Sequence, residues 1–253
     1  MGSRQSALPR RGPRRRSRVA FTGAKAPYQA NIPIGALMRT TNASDPRVSP
    51  RPALLLIDFM NPLDFDGADD LAPRAVAAAQ RAAILKSRMR ARRAPVIYAN
   101  DNFGRWESNF EAIVNYCKKL GGAPAKLAST LAPSPGDRSV LKPRHSAFFG
   151  TPLEFLLDEL AVNQLILTGL STDSCIMFTA HDGYLRKYDL WIPRDCVAAE
   201  KDNYQDAALE HMERTMKAAT DPVGGRATRQ PRKAAKSARG ASGSTTKHRA
   251  KTR

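Results

Sequence analysis

Two kinds of apolar pattern take turns along the middle of the chain. Short runs are apolar at nearly every position: 53–59 (ALLLIDF), 95–100 (PVIYAN), 164–168 (QLILT) and, more weakly, 190–193 (LWIP). A run without polar alternation predicts a strand buried on both faces, as in a parallel sheet covered by helices. The stretches between them repeat every third or fourth residue. Leu71, Ala75, Ala78, Ala82, Leu85 and Met89 line one helical face. Residues 107–120 predict a second helix, stopped at Gly121-Gly122. Thr151, Pro152 and Glu154 have the form of a capping box with proline at the first helical position. The helix they open buries Leu153, Leu156, Leu157 and Leu160. Gly169 predicts a turn into a helix that carries Cys175, and 202–219 predict a closing helix.

Strands that alternate with helices form right-handed β-α-β units. The expected fold is therefore a three-layer α/β domain over 51–220, a mainly parallel sheet flanked by helices. No Gly-x-Gly-x-x-Gly follows the first strand, which argues against a dinucleotide enzyme.

Charge changes this picture less than its total suggests. The formal net charge is +18, but residues 1–50 hold ten Lys or Arg against Asp45, and 221–253 hold ten against Asp221. Of 41 basic and 23 acidic residues, 21 of each remain for 51–220, so the body is neutral. Both ends are poor in large apolar residues and predict basic disordered arms. Such arms are candidates for non-specific nucleic-acid binding, and a catalytically inactive body carried between them is one reading of the chain. Three cysteines (Cys117, Cys175, Cys196) without a Cys-x-x-Cys pair fit a reducing, cytoplasmic setting. No run approaches the ~20 apolar residues that cross a bilayer, so no membrane partner is expected.

In open α/β sheets, ligands sit beyond the carboxyl ends of the strands. Asp58 closes the first run there, Asn100 and Asp101 the second, and Cys175 follows the third. A cysteine in the first turn of a helix meets free amides that favour thiolate and would hold an oxyanion. A buried structural cysteine is the competing reading, as a capping or salt-bridging carboxylate is for Asp58. Lys142 follows a short apolar pair and precedes a proline; it is a surface lysine or a strand-end cation. Asn100, Phe103, Trp106 and Phe148 are candidate pocket residues, and each aromatic reads equally as core.

Three segments, in order, resemble the isochorismatase-like cysteine hydrolases. ALLLIDFMNPLDF is similar to that family's opening strand, KPRHSAFFGTPLEFLL to its lysine segment, and LILTGLSTDSCIMFTAHDGYLRKYDLWIPRDCVAA to its nucleophile segment. The likeness spans about 52–215. It implies a triad of Asp58, Lys142 and Cys175, and a cis peptide between Leu170 and Ser171 beside an oxyanion hole. It also implies a homo-oligomer acting on a small-molecule substrate. The expected reaction is cleavage of an amide, imide or ureido C–N bond, with vinyl-ether hydrolysis of the isochorismate kind as the alternative. Nicotinamidase-type members carry an aspartate followed by closely spaced histidines that bind a metal. The corresponding NDNFGRWESNF has none, and His145, His181, His211 and His248 are scattered, so neither metal nor other cofactor is expected.

Overall fold

The computed structural model describes residues 49–106 and 109–224. In chain order the elements are β1 (Pro52–Ile57), α1 (Ala68–Ala91), β2 (Val96–Asp101), α2 (Phe110–Leu120), α3 (Gly122–Thr130), β3 (Arg138–Lys142) and α4 (Leu153–Glu159). Then come β4 (Gln164–Leu170), a π-helical turn (Thr172–Ile176), α5 (Met177–Leu185), β5 (Asp189–Trp191), β6 (Val197–Ala198) and α6 (Asp202–Met216).

The strands lie in the order β3-β2-β1-β4-β5, with β6 beside β4, and every pairing is parallel. The unbroken apolar strands now have their physical cause. Leu54, Leu56, Tyr98 and Ile166 feed a core against α1, α2 and α3. Ala53, Leu55, Ile57, Ile97, Leu165 and Leu167 feed a second core against α4, α5 and α6. A strand between two helical layers has no solvent face to keep polar. The stripe anticipated on α1 is buried in full.

Several expectations need correction. The run at 164–168 does not turn at Gly169; the strand continues through Leu170. Gly169 instead permits close approach: with φ +137°, a Cβ there would stand 1.9 Å from the Ile57 carbonyl oxygen. The glycine pair at 121–122 ends α2 but also opens α3, whose small residues give little periodic signal. Of the capping box, only the Thr151 hydroxyl acts, accepting from the Leu153 amide, while Glu154 pairs with Arg186. The closing helix stops at Met216. The packed body runs on past 220, since Val223 is 2% exposed and its amide donates to Asp195. The basic arms lie outside the described residues, apart from 49–50 and 221–224. Among the described residues, no helix is long and apolar enough to cross a membrane.

Candidate active site

Sequence connections run from β1 out to β2 and β3 on one side, and then return to β4 on the other. Such a reversal of strand order marks the place, at the carboxyl rim, where α/β sheets hold their ligands. Three chain segments deliver their reactive side chains to that rim.

Asp58 leaves β1 with φ +52° and is 4% exposed. Its Oδ1 accepts from the Asp101 amide at 2.7 Å, and its Oδ2 lies 2.7 Å from Nζ of Lys142. Lys142 ends β3, two strands away, and its long stem crosses beneath β2 with no solvent exposure. Nζ donates to the Arg144 carbonyl at 3.2 Å and to Sγ of Cys175 at 3.5 Å. The Asp58 carboxylate is close enough to act on the Cys175 thiol electrostatically. The Lys142 ammonium thus bridges the carboxylate and the thiol, although the sequence holds the three far apart.

The electrostatics oppose the simple helix-terminus expectation. Cys175 sits in the π-helical turn before α5, half-buried. Burial, followed by the Asp58 charge, pushes its thiol up to about 12, and Lys142 only partly offsets this. Both effects favour the protonated thiol over the thiolate. Burial likewise raises the Asp58 carboxyl against the opposing pull of Lys142, which makes it a stronger base than an exposed aspartate. Lys142 loses by burial but gains more from Asp58 and Cys175, so it stays a cation.

The remaining predicted residues divide. The Leu170–Ser171 peptide is cis. Ser171 opens the turn that carries Cys175, its carbonyl accepting from the Ser174 and Ile176 amides. Asn100 is no pocket residue: its Oδ1 accepts from the Met60 amide, and its Nδ2 donates to the Met60 and Asp101 carbonyls. It clamps the end of β1 to the end of β2. Phe148 also leaves the pocket set, because it belongs to the core beside Tyr188, under the Arg186 guanidinium. Phe103 and Trp106 stand exposed in the loop after β2, Trp106 by 79%. Neither of two concavities elsewhere bears on the chemistry: one of about 260 Å³ lies at the amino ends of β2 and β3, the other of about 420 Å³ along α6.

One neighbour of the sulfur escaped sequence reasoning. Nδ1 of His145 lies 3.8 Å from Sγ of Cys175 and 3.3 Å from Oγ of Ser174. The only local signal was its position three residues after Lys142. Nor are the other histidines all scattered, for His181 and His211 approach Nε2 to Nε2 at 3.4 Å. Among the described residues, no group of three or more His, Cys, Asp or Glu is gathered that would hold a metal. In the loop after β2, Asp101 accepts from the Phe103 amide with no histidine at hand, so the donor set there does not fit a divalent ion.

A doubly wound parallel sheet with an acid, a lysine and a thiol at its carboxyl rim has the construction of a small-molecule hydrolase. The isochorismatase domain matches residues 52–222, and the chain belongs to that family of hydrolases. The isochorismatase-family protein YaaI of Bacillus subtilis is 36% identical over 164 residues, covering 65% of this chain and 90% of that one. Maleamate amidohydrolase of Pseudomonas putida is 30% identical over 167 residues, covering 63% and 78%. Among solved structures, N-carbamoylsarcosine amidase of Thermoplasma acidophilum superposes with a TM-score of 0.53 at 25% identity, covering 68% and 96%.

Proposed function

We propose that this hydrolase cleaves a C–N bond in a small amide, imide or ureido compound, with Cys175 as nucleophile, Asp58 as base and Lys142 as the cation that holds the thiolate. The observation that carries the reading is the position of Lys142 Nζ, 2.7 Å from Asp58 and 3.5 Å from the Cys175 sulfur. The names of two relatives support the bond type, since one acts on maleamate and the other on N-carbamoylsarcosine.

The raised thiol and the raised carboxyl suit a proton passed late. Asp58 accepts the thiol proton as Sγ bonds to the carbonyl carbon, and Lys142 then faces a sulfur that has just given up its proton. Amides of Ser171 and Cys175 receive the developing oxyanion, and Leu170 carries the peptide that turns Ser171 toward it. Protonated Asp58 gives its proton to the departing amine, leaving a thioester for water. No step requires a metal or an organic cofactor.

The test is a panel of maleamate, N-carbamoyl amino acids, small amides and isochorismate, run on wild type and Cys175→Ala with intact-mass detection of adducts. Cys175→Ala should lose at least ~10²-fold in turnover of the C–N substrate. Undiminished turnover by that variant would reject the nucleophile. Turnover of isochorismate alone, with no adduct, would favour vinyl-ether hydrolysis.

A further inference from the structure

The proposed acylation leaves a question of supply. The water that hydrolyses the thioester must be deprotonated; Asp58, ionised again once the amine has left, stands on the buried side of the sulfur at 4% exposure, and a second acceptor stands on the open side. Cys175 is only half-buried, and the neighbours on its other side are exposed. There His145 is exposed, its ring stacked on Phe178 of α5 with centroids 5.4 Å apart and planes 23° apart. Phe178 is itself half exposed, so this pair forms an open wall of the site. Ser174 Oγ lies 3.3 Å from Nδ1, which fixes the edge of the ring that faces inward. Sγ of Cys175 is therefore held between two kinds of proton acceptor, a buried carboxylate behind it and an imidazole in front.

We infer that His145 is a catalytic residue of the second half-reaction, the base that activates the water hydrolysing the Cys175 acyl group. This rests on the cysteine-hydrolase reading above. Imidazole is the side chain most often used as a general base. Nδ1 is the ring atom turned to both the Ser174 hydroxyl and the sulfur, so it is the edge at which a water beside the acyl group would be met.

The protons balance. In acylation the thiol proton has gone through Asp58 to the amine, and Asp58 is ionised again. The water oxygen bonds to the thioester carbon, one of its protons passes to Nδ1 of His145, and the carbonyl pair moves onto oxygen. Collapse breaks the C–S bond and releases the acid. The imidazolium then returns its proton to the sulfur, 3.8 Å away, which restores thiol and neutral ring together.

The probe is 4-nitrophenyl acetate, whose nitrophenolate burst reads acylation and whose steady state reads deacylation. In His145→Ala the burst should persist while the steady state falls at least ~10²-fold, the usual weight of a general base. Acetylated Cys175 should then accumulate in the intact mass spectrum, and added imidazole should speed its decay. His145→Gln, which keeps a polar side chain but no base, should behave the same way. Wild-type steady-state turnover in either variant, or a slow one without acetyl-enzyme, would overturn the assignment of His145. If wild type itself forms no adduct and Cys175→Ala keeps its rate, the cysteine-hydrolase reading fails instead. If wild type acylates and both His145 variants deacylate normally, only the His145 assignment falls.

Discussion

Two buried lysine–aspartate pairs stand at opposite ends of β3, and only one of them meets a thiol. Asp137 precedes the strand and pairs with Lys86 of α1 at 2.8 Å; Lys142 closes the strand and pairs with Asp58 at 2.7 Å. Nζ of Lys86 spends its remaining hydrogens on the Tyr98 hydroxyl and the Ala132 carbonyl, at 2.7 and 2.6 Å. Asp137 is completed by Arg90 and the Ser134 amide. No thiol is among the partners of that cluster. Lys142 also has an aspartate and a backbone carbonyl, but its third direction ends on Cys175, a group able to change charge. Under the proposed mechanism the third partner, and not burial or ion pairing, separates a structural pair from a chemical one.

The largest effect should therefore appear in turnover and at one pair only. Asp58→Asn and Lys142→Met should each lower kcat/KM by at least ~10²-fold, the weight of a positioned proton acceptor or counter-charge. Lys86→Met should leave kcat/KM near wild type. A comparable loss in Lys86→Met would erase the distinction.

Stability should separate the pairs far less sharply than turnover does. Removing one partner of a buried ion pair strands the other charge and costs about 3–5 kcal/mol. Lys86→Met should fall toward the low end of that range, because Arg90 still reaches Asp137. At the other pair, Asp58→Asn together with Lys142→Met should recover most of the stability lost by Lys142→Met alone, yet stay inactive. Urea denaturation of the single and double variants checks this.

The thiol gives a subtler contrast, in which one substitution moves two readouts in opposite directions. The Asp58 charge is the second cause, after burial, of the rise of Cys175 from 9.0 to about 12. A native pKa above the unfolded one means that the folded state holds the proton more tightly. Its contribution to stability is whole below pH 9.0 and is lost as pH climbs toward about 12. Iodoacetamide should accordingly modify Cys175 of resting wild type more slowly than a free thiol at pH 8.5, approaching it only in stronger alkali. Asp58→Asn removes the raising charge, so alkylation at pH 8.5 should quicken severalfold while turnover collapses. Slower alkylation in Asp58→Asn would mean that the carboxylate activates the resting thiol, contrary to the late transfer proposed.

How much of this was legible beforehand follows from the range of each interaction. The apolar run of β1 and the stripe of α1 are local consequences of two-sided and one-sided burial, and both could be read directly. β3 is half exposed and five residues long, so its pattern is thin, and only the apolar pair before Lys142 hinted at it. The role of Asn100 depends on Met60, forty residues earlier, and nothing near Asn100 in sequence announces that its amide is occupied. Phe148 and Trp106 are both aromatic and equal candidates as sequence, but one is sealed by Arg186 and Tyr188 while the other faces solvent. His145 meets Cys175 across thirty residues, a contact that only the assembled rim creates.

The smallest effect tests the comparison most closely, because it concerns a single carboxylate with two cations. Asp137 is held by Lys86 from the buried side and by Arg90 from the open side, where the Arg90 side chain is 39% exposed. Water screens the second contact and competes for the guanidinium, so Arg90→Ala should cost no more than ~1 kcal/mol, and less at high salt. Lys86 has no such competitor, and its loss should be nearly independent of salt. Urea midpoints of Arg90→Ala and Lys86→Met at low and high ionic strength give the comparison. Equal costs, or an equal salt response, would show that the Asp137 cluster is held by total charge rather than by the dry, fully bonded geometry around Lys86.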